Sequence, residues 1–160
     1  MPGSSASRAA RKIARDCPAI RVRQASRALT RVYDDALRPL GLQMSQFAVL
    51  IAIASFGEKG ASISAIAAAL VMDRTTLTRN LRPLERAGFV RVTRAQGDAR
   101  SRLVLLTHRG ERTLEQAYPL WESALGRVRR VLGARTIKLL NAQLGSVSER
   151  AAELEEAAKR

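Results

Sequence analysis

Asp73-Arg74-Thr75-Thr76-Leu77-Thr78-Arg79-Asn80-Leu81-Arg82-Pro83-Leu84-Glu85-Arg86-Ala87-Gly88 is the stretch that decides how this chain folds. Asp73 has the short carboxylate that caps a helix N-terminus, and Gly88 suits the C′ position past its end. The spacing predicts a helix from Arg74 to Ala87 with Leu77, Leu81 and Leu84 on its inward face. Arg74, Thr75, Thr76, Thr78, Arg79 and Arg82 are left to face outward. Pro83 removes the N–H that would bond the Arg79 carbonyl, so a kink is expected there.

Downstream, Phe89 to Arg94 alternates like an exposed strand, and Arg102 to Leu106 reads as its returning partner. Between them, Ala95 to Ser101 is a polar turn holding Gly97 and Asp98. Upstream, Ser62 can cap a short helix from Ile63 to Leu70. Ser45 can cap a helix from Gln46 to Ser55, which is apolar almost all round and therefore buried. The order is helix, short helix, polar turn, helix, basic hairpin. That order is what DNA reading by a winged helix-turn-helix requires. Only a helix or a two-stranded ribbon fits the major groove, about 12 Å wide. The first residues of the second helix reach the bases while the helix before braces it.

Hydroxyls and Arg at a helix start suit phosphate and base edges, helped by the positive end of the helix. A Thr-rich cap on a surface helix is the plain alternative. In the hairpin, Asp98, Arg100 and Arg102 sit at the tip and just after it. An Arg on a thin β-turn can enter the minor groove, and Asp98 can hold that guanidinium in place. On its own this Asp-x-Arg-x-Arg spacing is a weak signal. Its position straight after the Thr/Arg helix strengthens it.

Charge supports the same partner. The 160 residues carry 28 Lys+Arg against 14 Asp+Glu, a net +14, with Arg far outnumbering Lys. A polyanion is the natural partner of such a chain. Residues 74–112 hold ten Arg against Glu85, Asp98 and Glu111, and residues 1–31 hold eight cations against Asp16 alone. The apolar share is 46% but aromatics are only 4%, so the core is expected from Ala, Leu, Val and Ile in packed helices.

The remaining chain completes one domain. Residues 1–15 are small, polar and basic, and residues 1–17 are expected as a flexible arm. From Ile20, Val22, Ala25, Leu29, Val32 and Ala36 recur at helical spacing until Pro39 and Gly41. Thr107 caps a long helix to about Leu132, with Leu114, Tyr118, Trp121, Leu125 and Val128 on one face. Gly133 breaks it. A last helix, about Ala134 to Ala158, carries Leu140, Leu144, Val147, Ala151 and Leu154 as a short heptad seam. That seam packs either within the chain or on a second copy.

Several function classes are excluded. One Cys and one His are too few for a structural zinc site or a disulfide framework. There is no Gly-rich phosphate loop and no Ser or Cys with a His partner in a recognisable frame, so no catalytic residues, metal or cofactor are expected. No apolar run approaches the roughly 18 residues that span a bilayer, so no membrane contact and a cytoplasmic location are expected.

Leu40-Gly41-Leu42-Gln43-Met44-Ser45-Gln46-Phe47-Ala48-Val49-Leu50 is similar to the opening of the second helix in MarR-family regulators. Asp73 to Arg79 resembles their recognition helix, and Leu84 to Val90 their passage into the wing. Asp98 to Arg102, then Leu105 to Gly110, resembles the wing and the start of the long helix. The likeness runs in unbroken order over about residues 20–130. It implies a mainly α fold with a small β-hairpin wing. The winged helix-turn-helix would occupy about residues 42–110, within one domain over 18–160. Dimerisation helices are implied at about 18–38 and 107–158. By the same resemblance Arg100 is the minor-groove residue, and Thr75, Thr76 and Arg79 read the major groove. It further implies a homodimer on a pseudo-palindromic operator in double-stranded DNA, usually released by a small aromatic or anionic effector. The long basic N-terminus and Pro83 depart from the family pattern.

Tyr33, Phe47, Tyr118 and Trp121 could line the effector pocket, or serve simply as core. Cys17 stands near the place where one branch of the family senses hydroperoxides. That branch has a Tyr one turn later, where this chain has Arg21. A redox sensor and an inert thiol both remain open, as does a nucleoid-associated architectural protein that binds DNA by charge alone.

Overall fold

The structure is a computed structural model. It describes residues 4–95 and 98–158, with side chains described outside 95–101. The order is α1 (Ser5–Asp16), α2 (Pro18–Leu37), a 3₁₀ turn (Arg38–Leu40), α3 (Met44–Ser55), β1 (Ala61–Ser62), α4 (Ile63–Ala69) and α5 (Arg74–Arg86). It continues with β2 (Val90–Ala95), β3 (Asp98–Leu106), α6 (His108–Leu132), α7 (Ala134–Glu149) and α8 (Ala151–Ala157).

Local chemistry explains most of these boundaries. Ser62 accepts the Ala65 N–H at 3.1 Å, Asp73 the Thr76 N–H at 2.8 Å and Thr107 the Gly110 N–H at 3.1 Å, so each of these three helices starts on a side-chain cap. α3 departs from expectation, because its cap is Gln43 and not Ser45. The Gln46 side chain accepts the Gln43 N–H at 3.0 Å, closing a capping box from two residues that rank low as caps individually. Asp34 of α2 accepts the Met44 N–H at 2.6 Å, which ties the two helices together.

Three further expectations are corrected. Residues 5–16 form a helix: Ala, Arg and Lys are strong helix formers, and Ser4 accepts the Ser7 N–H at 3.2 Å. The polar turn expected over Ala95 to Ser101 is mostly strand, since β2 reaches Ala95 and β3 begins at its partner Asp98. The last helix is two, separated at Arg150, whose φ −97° and ψ 15° leave the helical region. α5 does run through Pro83 to Arg86.

The core lies among α2, α3, α4, α5, the sheet and α6. Leu37, Leu50, Ile53, Ile66, Leu77, Leu84, Val49 and Val104 are fully buried. β3 is the middle strand of an antiparallel sheet ordered β1-β3-β2, with Val92 opposite Val104 and Ala61 also opposite Val104. The two-residue β1 is too short to leave a periodic signal in sequence.

Gly110 fixes how α6 leaves the wing. A Cβ there would collide with the Phe89 carbonyl oxygen, so only glycine allows this approach. Thr107 completes the joint by donating its hydroxyl to the Gly88 carbonyl at 2.6 Å. The Arg109 guanidinium lies over the Phe89 ring, 5.4 Å from its centroid.

Candidate nucleic-acid interface

α5 is locked at both ends and along one side. Asp73 takes hydrogen bonds from the Thr76 hydroxyl and the Thr76 N–H, and these hold its carboxyl below the ordinary carboxylate value. At the other end the Gly88 and Phe89 N–H groups donate to the Glu85 and Leu84 carbonyls, both at 2.9 Å, with Gly88 at φ +72°. Leu77, Leu81 and Leu84 are buried, so rotation of the helix about its axis would expose all three.

That lock fixes the opposite side. Arg74, Thr75, Thr78, Arg79 and Arg82 come together there around a shallow concavity of about 270 Å³. Thr78 donates its hydroxyl to the Arg74 carbonyl at 2.7 Å, which fixes its rotamer. Among the described residues no carboxylate pairs with Arg74, Arg79 or Arg82. Thr76 stands apart from this set, half-buried on the flank and engaged with Asp73. The face offers guanidinium donors and hydroxyls beside the positive end of a helix, which is what phosphates and base edges accept.

The hairpin supplies a second cationic element. Arg94 of β2 pairs in register with Arg102 of β3, and both are exposed. Like charges directly opposite on paired strands repel, so the pair is at its most stable beside an anion. Nothing in the sequence around Arg94 sets it apart, and only the register shows it facing Arg102. Asp98 and Arg100 belong to β3 by backbone, and their side chains lie outside the described residues.

The turn before α5 has an unusual residue. Val71 has φ +48°, a left-handed conformation that costs a β-branched side chain about 1–2 kcal/mol. The Met72 N–H donates to the Ala67 carbonyl at 2.9 Å, closing the turn around it.

The four aromatic candidates sit in different surroundings. Phe47 is sealed in the core. Tyr118 is 57% exposed, with its ring 5.8 Å from that of Trp121, itself partly buried against the core. Tyr33 is half-buried on α2, where burial pushes its hydroxyl pKa up and the Arg129 guanidinium pulls it back. A groove of about 620 Å³ runs instead between α2 and the α6–α7 junction. Ala25, Leu29, Val32, Val128, Val131 and Leu140 line it, with Asp35 and Arg127 as its polar members. Cys17 is half-buried at the joint of α1 and α2, with Arg15 engaged by Asp16 at 2.7 Å.

Comparison with known proteins bears on this geometry directly. The profile of the MarR family matches residues 40–101, from the 3₁₀ turn into β3. Over the whole fold, the chain is similar to the transcriptional regulator MosR of M. tuberculosis in complex with DNA. The two are 36% identical, aligned over 85% of this chain and 98% of that one, with a TM-score of 0.71. The chain belongs to the MarR family. Mutant MarR of E. coli complexed with operator DNA is 26% identical, aligned over 84% of this chain and 96% of that one, with a TM-score of 0.74. The HTH-type transcriptional regulator YwoH of Bacillus subtilis is 32% identical over 96 residues, which are 59% of this chain and 67% of that protein. As a member of the MarR family the chain is a DNA-binding transcriptional regulator with a winged-helix fold. The small sheet that holds β2 and β3 is its wing.

Proposed function

We propose that this MarR-family chain is a sequence-specific repressor. It acts as a homodimer on a pseudo-palindromic operator and is released by a small effector. The observation that carries the DNA reading is the α5 face, where Arg74, Thr75, Thr78, Arg79 and Arg82 form one surface held by a buried Leu side. In this reading Arg79, Thr75 and Arg82 reach base edges, while Arg74, Thr76 and Thr78 position the helix N-terminus on the backbone. Arg100 and Arg102 contact the minor groove, with Asp98 orienting Arg100.

Dimerisation is supported by the apolar surface that the ends of the chain leave uncovered. Val131 is 83% exposed, and Val22, Leu132, Leu139, Val147 and Leu154 are also exposed. These side chains lie on α2, α6, α7 and α8, and Val131 and Leu132 also line the apolar groove. Two half-sites about one DNA turn apart need two reading heads, and a second copy supplies the other. The volume of the groove falls in the range of small-molecule sites, and Arg127 offers a cation to an anionic effector. The MosR and E. coli MarR complexes with DNA support the DNA partner. A cytoplasmic location accords with this role.

The test is a gel-shift titration against DNA from upstream of the protein's own gene, with a scrambled duplex beside it near 150 mM salt. The reading expects tight, competitor-resistant binding to the upstream DNA, with a preference of about 10³-fold or more. Equal, salt-labile shifts on both duplexes would instead support an architectural protein bound by charge alone.

A further inference from the structure

The helix at the start of the chain plays no part in the site described so far. α1 has no buried residue. Pro18 lacks an N–H and forces the residue before it out of the helical region, so Cys17 is extended at φ −82° and ψ 111°, and α1 is a separate helix from α2. α2 is 20 residues long, about 30 Å of helix; it packs along α6 from about Ala25 onward and buries Leu37 in the core. α1 is a further cationic helix, distinct from α5.

Its side chains are sorted by face. Arg8, Arg11, Lys12 and Arg15 recur at steps of three, one and three and share one side of the helix. Ala6, Ala9, Ala10 and Ile13 repeat the same steps on the opposite side. Asp16 pairs with Lys12 at 2.9 Å and Arg15 at 2.7 Å, and Arg11 donates to the Ser7 hydroxyl. Among the described residues Arg8 and Arg11 have no carboxylate partner. The helix is thus net +3, and like charges at these spacings repel and destabilise it. Twelve residues are also marginal for a helix without tertiary support. Neutralisation by a polyanion would remove that repulsion. The apolar side, three Ala and one Ile, is too small to anchor the helix in lipid.

We propose that α1 is a sequence-independent clamp on the DNA phosphate backbone, acting through Arg8, Arg11, Lys12 and Arg15. It adds affinity and salt dependence to every DNA sequence alike and leaves discrimination to α5 and the wing. The inference rests on the DNA-binding activity of the family and does not depend on repression or on an effector.

The experiment uses the full chain with Arg8→Ala, Arg11→Ala, Lys12→Ala and Arg15→Ala combined, since Ala preserves helix propensity. Affinities for a scrambled 30-base-pair duplex and for the upstream duplex are measured between about 50 and 200 mM salt, where each phosphate contact adds about 0.9 to the slope of log affinity against log salt. The expected result is a slope shallower by about 2–3 per bound copy, with both affinities reduced by the same factor. An unchanged slope would overturn the proposal, as would a loss confined to the upstream duplex. A change in sedimentation without DNA and no change in slope would assign α1 to an interface between copies. Binding to phosphatidylserine vesicles with no change in slope would assign it to a membrane. Either result would also overturn it. If the wild-type chain failed to distinguish the two duplexes, the repressor reading would fall while the slope comparison still decided the clamp.

Discussion

The winged-helix body and the helices at the two ends of the chain differ in how far each is finished. In the body, each of α3, α4 and α5 starts on a cap, and Leu50, Ile53, Ile66, Leu77 and Val104 are fully enclosed. At the ends, α1 buries nothing, α7 buries only Ile137, and Val131, Val147 and Leu154 face solvent. The body satisfies its own polar groups and encloses its own apolar surface. The terminal helices form their backbone bonds but leave apolar side chains exposed to solvent. The contrast is between a self-contained body and ends whose exposed apolar surface the proposed second copy would cover.

The largest expected effect breaks the body. Leu77→Ala removes a fully buried side chain between α5 and the core, and should cost about 2–5 kcal/mol in chemical denaturation. A cost under about 1 kcal/mol would mean that α5 is not locked as described. Next, Val131→Glu places a charge on the uncovered terminal surface. It should weaken dimerisation by about 2–3 kcal/mol in sedimentation while leaving the melting of the body nearly unchanged. An unaffected dimer would remove this surface from the interface. A smaller gain is expected from Val71→Gly, which relieves the left-handed strain in the turn before α5. Because Gly also loses more chain entropy on folding, stability should rise by no more than about 1 kcal/mol.

The smallest effect is a pH dependence. The folded carboxyl of Asp73 titrates below its ordinary value, chiefly because the Thr76 hydroxyl donates to it. Its contribution to stability is therefore present above the ordinary carboxylate value and is lost as pH falls through the lowered one. Melting of wild type and Asp73→Ala should differ at neutral pH and converge in strong acid. A constant difference across that range would mean that Asp73 does not act through its charge.

Most of the body was legible because its signals are local. Asp73, Ser62 and Thr107 cap the helices assigned to them, Gly88 ends α5, and Leu77, Leu81 and Leu84 carry its inward period. What escaped depends on pairs of residues or on register. Gln43 is a cap only because Gln46 reciprocates, and Arg94 joins the candidate site only through the register that sets Arg102 opposite it. The break at Arg150 has neither Gly nor Pro to announce it. The aromatic residues share a helix-facing pattern with core and pocket alike, so spacing could not separate Phe47, buried in the core, from Tyr118, exposed on α6.

The central claim is that the outer face of α5 discriminates sequence. The most direct measurement is the ratio of upstream to scrambled affinity for wild type and for Arg79→Ala, at one salt concentration. Arg79 is exposed and makes no ion pair among the described residues, so its removal should leave the fold intact. The account predicts a loss of about 1–3 kcal/mol on the upstream duplex, with little change on the scrambled one, so the ratio falls by about 5- to 150-fold. An equal loss on both duplexes would contradict it, since Arg79 would then be holding phosphate and the sequence would be read elsewhere.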